Sequence, residues 1–278
     1  MSGAKPKLVA PAGACDTHMH IYEPGYAAAP TALAPPPANA TLAEYRRVMA
    51  HLGTERVVVI QPSAYGDDNR CTLEAVERLG AAGRAVVMLK PEVSDAELQR
   101  LAGIGSVVGL RCFLINTAGL MTWDTLERMV QRVQPLGWHI HLQFDGRLIV
   151  EKLDLLKHLP GRIIIDHNAK FLEPVAPDHP CMKALLGLID GGRWWVKLSA
   201  PYETSKVGAP TYADVGALSR TFAHHAPDRC LWASNWPHPG QNPLPDDANL
   251  LDRLLEWAPD DTARRKILVD NPAALFGF

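Results

Sequence analysis

The sequence predicts a (β/α)8 barrel of the TIM type, and three observations carry that prediction. Short apolar runs recur eight times along the chain, and the stretches between them have helical spacing. Several runs, Val57-Val58-Val59-Ile60 and Ile163-Ile164-Ile165 among them, are apolar at consecutive positions. A parallel strand needs this when helices cover one face and a packed interior lies against the other. An open doubly wound sheet fits less well, because no GxGxxG follows the first strand and six strands would suffice for it.

The strands are expected at 14–22, 56–61, 85–90, 107–114, 139–145, 162–168, 194–200 and 230–236. Apolar residues recurring every three or four positions place helices at 41–52, 72–79, 123–133, 148–159, 213–224 and 247–257. Ser94 and Glu97 have the spacing of a capping box at the start of another. Barrels of this kind run to about 250 residues, so the 278 residues read as one domain spanning 1–278. Three connections are long: 23–40, with Pro24, Pro30 and Pro35-Pro36-Pro37, then 201–210 and 237–245. Each follows a strand, so each is expected at the C-terminal mouth, where loops carry binding and catalysis.

Composition narrows the partners. With 47% hydrophobic and 21% charged residues and a net charge of -2, the chain carries no mark of nucleic-acid or membrane binding, which leaves a small molecule. Cys15, Cys71, Cys112, Cys181 and Cys230 are odd in number and lack CxxC spacing, which argues against a disulfide framework or a structural zinc site and fits a reducing cytoplasm. No apolar segment follows Lys5 and Lys7, and no stretch approaches the roughly 18 apolar residues of a membrane helix. Nothing in the sequence fixes an oligomeric state.

Alternation along a strand puts His18 and His20 on one side. The same rule puts His167 with Ile163 and Ile165, Lys197 with Trp195 and Ser199, and Asn235 with Leu231 and Ala233. Three imidazoles can therefore converge at one end of the barrel. Arg111 is expected to close strand 4 and Gln143 strand 5. Arg111, Lys170 and Lys197 are candidates for binding a carboxylate, Arg111 in bidentate fashion. Tyr22, Tyr202 and Asn242 lie in or beside the long loops and suit hydroxyl groups. His139 and His141 come earlier in strand 5 and read as packing or hydrogen-bonding residues, while His224 and His225 suit the negative end of a helix.

Asp16-Thr17-His18-Met19-His20, Asp166-His167, Ser234-Asn235-Trp236-Pro237-His238 and Asn271-Pro272-Ala273-Ala274-Leu275-Phe276 together resemble the amidohydrolase superfamily over essentially the whole chain. Within it the chain is similar to the branch that holds 2-pyrone-4,6-dicarboxylate lactonase and D-galactarolactone isomerase. Residues 20–26, 143–146, Tyr202-Glu203 and 235–238 are closer to the isomerase pattern, which adds Gln143 and His238 to the substrate-binding set. His18 keeps the first histidine of the lactonase pattern, where the isomerase pattern has glutamine. Asn235 stands where the lactonase has its aspartate base.

A neutral amide cannot take a proton from water. A hydroxyl of the substrate can then win the attack, since a well-placed internal nucleophile reaches an effective molarity of about 10⁵ M or more. The resemblance thus implies an isomerase that interconverts 1,5- and 1,4-lactones of an aldaric acid, with His18, His20, His167 and Asn235 as catalytic residues. It also implies no metal, because Gln143 and Asn235 are poor ligands; the alternative is one zinc ion at His18, His20 and His167. Rival functions are a true lactonase and a non-catalytic sugar-acid binding barrel.

Overall fold

The structure is a computed structural model and describes residues 4–116 and 118–278. Eight parallel strands pair in sequence order. They are β1 (Cys15–Met19), β2 (Arg56–Ile60), β3 (Gly83–Val87), β4 (Val107–Phe113), β5 (His139–Gln143), β6 (Ile163–Ile165), β7 (Trp194–Leu198) and β8 (Cys230–Trp232). Every predicted run overlaps one of them, and β3 begins two residues before its predicted run. The strands end earlier than expected, and that difference shapes the site.

Helices pack around the sheet: α1 (Leu42–Leu52), α2 (Arg70–Leu79), α3 (Asp95–Ala102), α4 (Trp123–Val133), α5 (Leu153–His158), α6 (Pro180–Asp190), α7 (Ala213–His225) and α8 (Asp247–Asp252). In α1 the buried positions are Leu42, Tyr45, Val48 and Leu52, the stripe of a helix lying on a sheet, and Thr41 caps it by accepting from the Glu44 amide. Ser94 caps α3 through the Glu97 amide as its spacing suggested. The reciprocal capping box belongs instead to Thr122 and Thr125, ahead of α4. The predicted helix 148–159 is reduced to α5, preceded by a 3-10 turn. The helix α6 has no counterpart in the sequence reading. No helix of the described residues is long and apolar enough to cross a membrane.

Two cores result. The larger lies between strands and helices; the smaller fills the barrel with Cys15, Val58, Ile60, Val86, Ile164 and Leu231, stoppered by Leu275 and Phe276 from the C-terminal helix. On β6 the inward residue is therefore Ile164, while Ile163 and Ile165 face the helices.

No ladder joins β1 to β8 among the described pairings, and buried Asp16 bridges the seam. It accepts from the His18 amide at 3.2 Å, the Ser234 amide at 3.0 Å, Tyr45 Oη at 2.9 Å and Ser234 Oγ. Backbone bonds finish the closure, from His20 N to the Trp236 carbonyl and from Asn235 N to the His18 carbonyl, both 2.8 Å. His18 in β1, His20 just beyond it and the amide after β8 are thus fixed by one carboxylate and its neighbours. Asn in its place accepts through one oxygen only and turns an amide N–H toward donors. Asp16→Asn is expected to destabilise the fold by about 2 to 4 kcal/mol and to lower the melting temperature by roughly 5 to 10 °C. An unchanged melting curve would remove Asp16 from this role.

Candidate active site

The site begins one layer above the apolar plug, with a lysine. Lys197 on β7 is fully buried, and its ammonium lies 2.9 Å from Asp166 Oδ1, 3.1 Å from His18 Nδ1 and 2.9 Å from His141 Nδ1. Three N–H groups meet three acceptors. Burial works to raise the Asp166 carboxyl, but the Lys197 ammonium, with His167, His141 and Arg111, holds it below the usual carboxylate value. Burial draws Lys197 down while Asp166 opposes it. The 2.9 Å contact is that of a buried ion pair, and Lys197 is committed to internal partners. The expectation that it binds a substrate carboxylate is corrected on that ground.

The Lys197 ammonium and one backbone carbonyl determine where the protons of the two β1-end imidazoles sit. His18 accepts from Lys197 through Nδ1, so its proton is on Nε2, a buried atom with no protein partner. His20 lies the other way round: Nδ1 is 2.8 Å from the Ile60 carbonyl, which can only accept, so Nδ1 carries the proton and Nε2 offers a lone pair. The two rings stand edge to face with centroids 4.9 Å apart. A donor and a base are thus side by side. Burial is the first cause that keeps both neutral: His18 is well below the ordinary histidine value and His20 is lowered to about 3.

His167 joins them, its ring centroid 4.6 Å from that of His18 and its Nδ1 2.8 Å from Ser199 Oγ. It does not arrive by strand alternation. β6 stops at Ile165, and residues His167, Asn168, Ala169 and Lys170 all have positive φ, between 41° and 63°. Left-handed backbone costs about 1 to 2 kcal/mol per non-glycine residue, so such a run needs support. Asn168 supplies it, donating to the Ser199 carbonyl at 2.9 Å and accepting from Ser219 Oγ at 2.8 Å. The turn swings His167 inward from the helix-facing side of β6. Asn235 is likewise beyond β8, at φ 59°.

Arg111 lies inside β4, two residues before its end rather than closing it. Its guanidinium donates to the Gln61 carbonyl at 2.8 Å and to Gln143 Oε1 at 3.0 Å, and Nε has no partner. The guanidinium is buried, and no carboxylate lies within 4.0 Å of it among the described residues. Gln143 closes β5 as expected. Tyr22 is buried and lines a mouth cleft of about 200 Å³ with Pro37, Phe113, Asn116 and Pro239.

Lys170 is held by the Glu203 carboxylate, an ion pair at the mouth. Asn235 Nδ2 donates to Tyr202 Oη at 2.9 Å and to Glu203 Oε1 at 3.3 Å. Glu203 is thus a site carboxylate that the sequence reading quoted but did not assign, and the same holds for Asp166. Tyr202 and His238 are in contact, Oη to Nδ1 at 2.8 Å. Asn242 is exposed and lines an outer cleft of about 490 Å³ beyond Tyr202, apart from the histidines.

The donors do not make a good cation site. His18, Asp166 and His167 can bring one ligand atom each within 4.8 Å of one another, but Lys197 already stands against two of the three. His20 is not in that group. In the alternative set of His18, His20 and His167, His18 presents an N–H, not a lone pair, while Lys197 is charged.

The buried imidazoles predict a steep acid limb of stability. His18, His20, His139, His141 and His167 are all below the ordinary histidine value of 6.5, burial being the first cause in each. As pH falls through about 6.5 the unfolded chain takes up protons that the folded chain refuses, so stability is lost, each group contributing up to about 1.4 kcal/mol per pH unit. Asp16, raised to about 6 by burial, acts in the opposite sense, one group against five. Urea unfolding at pH 7.5 and 5.5 is expected to differ by several kcal/mol, and equal values would contradict the neutral imidazoles.

Comparisons with known proteins bear on the family and the fold. The chain is 39% identical over 280 residues to D-galactarolactone isomerase of Agrobacterium fabrum, covering 99% of this chain and 95% of the relative. It is 35% identical over 278 residues to 4-sulfomuconolactone hydrolase of Hydrogenophaga intermedia, covering 98% and 91%. The crystal structure of an Agrobacterium tumefaciens protein in its apo form superposes with a TM-score of 0.91 at 39% identity, covering 98% of each chain. The amidohydrolase family profile matches residues 15–278, from the first residue of β1 to the C-terminal plug, and the chain belongs to that family.

Proposed function

We propose that the protein is a lactone isomerase that moves the acyl group of an aldaric acid between two of its own hydroxyls, interconverting 1,5- and 1,4-lactones without a metal. The observation that carries this reading is the opposed tautomers of His18 and His20, an N–H and a lone pair side by side. The 39% identity to D-galactarolactone isomerase supports the substrate class.

The residues have a consistent division of work. His18 Nε2–H donates to the lactone carbonyl oxygen and stabilises the charge that gathers there. His20 Nε2 takes the proton of the attacking hydroxyl as its oxygen bonds to the carbonyl carbon. The tetrahedral intermediate then collapses, the ring C–O bond breaks, and the departing oxygen receives the proton from His20. No water is consumed and nothing is oxidised. Arg111, buried without a carboxylate partner, binds the free carboxylate of the substrate, with His167 and Asn235 lining the reacting end.

A hydrolytic reading has one specific observation in its favour, the Glu203 carboxylate 3.3 Å from Asn235 Nδ2, which could serve as a base for water. The two readings separate in one experiment. Chelator-treated protein is given a 1,5-aldarolactone in ¹⁸O water, with products followed by proton NMR and mass spectrometry. The expected product is unlabelled 1,4-lactone at a rate unaffected by chelation. Labelled open acid as the main product would establish hydrolysis, and activity lost on chelation and restored by zinc would overturn the metal-free mechanism.

The Arg111 assignment is checked separately. Arg111→Met is expected to reduce kcat/KM by the equivalent of about 2 to 5 kcal/mol on a carboxylate-bearing lactone. A neutral lactone of the same ring size should lose far less, and an equal loss on both would return Arg111 to a structural role.

A further inference from the structure

The loops after β7 and β8 carry a hydrogen-bond chain whose direction is fixed at one end by a carboxylate. Asp247 Oδ1 lies 3.0 Å from His238 Nε2 and can only accept, so Nε2 bears a proton, and in the singly protonated ring Nδ1 is the lone pair. Tyr202 Oη, 2.8 Å away, therefore donates its hydrogen to His238 Nδ1. That leaves the phenolic oxygen as an acceptor, and the group facing it at 2.9 Å is the amide of Asn235. A carbonyl there would meet only lone pairs, and Glu203 Oε1 on the same side of the amide imposes the same choice. Asn235 must then present Nδ2 to the loops and Oδ1 in the other direction. No protein donor reaches Oδ1 among the described residues, and Asn235 and His238 are each 2% exposed.

We infer that Asp247, His238 and Tyr202 act as a positioning chain that holds the Asn235 carbonyl toward the ligand, so that the end of β8 recognises a hydroxyl of a polyhydroxy acid. This rests on the proposed function and sharpens it. With His20 Nε2, the site offers two acceptors, which the hydroxyls of a polyhydroxy acid can satisfy together. A flat unsaturated lactone has no hydrogen to give them. Unpaired acceptors are costly to bury, so the preference is a large one. The backbone agrees: Asn235 and His238 both adopt left-handed φ, near 60°, a geometry that the turn holds against its intrinsic cost.

The test uses two six-carbon diacids, galactarate and adipate, which share their carboxylates and differ in hydroxyls. Binding of each to the intact protein is measured by calorimetry. The wild type is expected to favour galactarate by at least about tenfold. Tyr202→Phe removes the acceptor that orients the amide. Asp247→Asn, nearly isosteric and without contact to Asn235, weakens the bias on His238. Both variants should lose galactarate affinity selectively and keep that for adipate, with Asp247→Asn guarding against a folding defect in Tyr202→Phe. Equal affinities in the wild type, an unchanged ratio in both variants, or equal weakening of both ligands would overturn the inference. A galactarate preference that behaves as expected in a protein that forms no 1,4-lactone would instead refute the isomerase reading alone.

Discussion

The ion pair between Lys197 and Asp166 is the interaction on which the site depends. Placing two full charges beneath an active site is expensive, and it is tolerable only when each is paired and hydrogen-bonded. Lys197 meets this condition with three acceptors, from β1, from β5 and from the residue after β6. Its His141 partner needs room, and β4 provides it. A Cβ at Gly109 would stand 2.8 Å from the His139 carbonyl and 3.2 Å from the His141 ring. The functional consequence lies one bond further on. By donating to His18 Nδ1, the ammonium forces the proton of that ring to the pocket side, so a charge that no substrate touches determines the chemistry offered to one.

Around this buried pair the site is assembled from backbone that no strand supplies. β1 is irregular in register between Asp16 and Met19, which lets Cys15 and His18 both face inward. Asp16 itself turns to the seam with β8 and sets Ser234 and, through it, the left-handed Asn235. The turn after β6 brings in His167 and carries Lys170 to the Glu203 carboxylate. One side of the pocket is therefore governed by the Lys197 ammonium and the other by carboxylates at the mouth. Proton positions on the two sides are set independently, which suits a reaction that must take a proton from one oxygen and return it to another.

Much of this was legible in the residues, though not always for the right reason. Consecutive apolar runs gave the barrel, because a strand buried on both faces leaves a mark that a surface strand does not. His18 and His20 were correctly paired, since two residues on one strand share a side whatever lies beyond them. His167 was placed in the site by an alternation that the chain does not follow: Ile164, not Ile163 or Ile165, faces the interior, and the left-handed turn reverses the outcome. Lys197 was misassigned because a lysine facing a pocket and one buried beneath it look alike in sequence. The missing signal was register. Ile165 pairs with Val196, so Asp166 and Lys197, the next residue on each side, stand opposite one another. Glu203 and Asp247 were missed as site groups because both sit beyond strand ends, where periodicity carries no information.

The central claim is that the buried Lys197 ammonium and the Ile60 carbonyl fix opposite tautomers on two adjacent histidines. It is tested most directly by ¹⁵N-resolved NMR of histidine-labelled protein at pH 7.5, with signals assigned from the His18→Asn and His20→Asn variants. The account predicts two neutral rings, His18 protonated on Nε2 and His20 protonated on Nδ1. A His18 ring protonated on Nδ1, or carrying both protons, would mean that Lys197 does not donate to it, and the division of work between acid and base would fall with it.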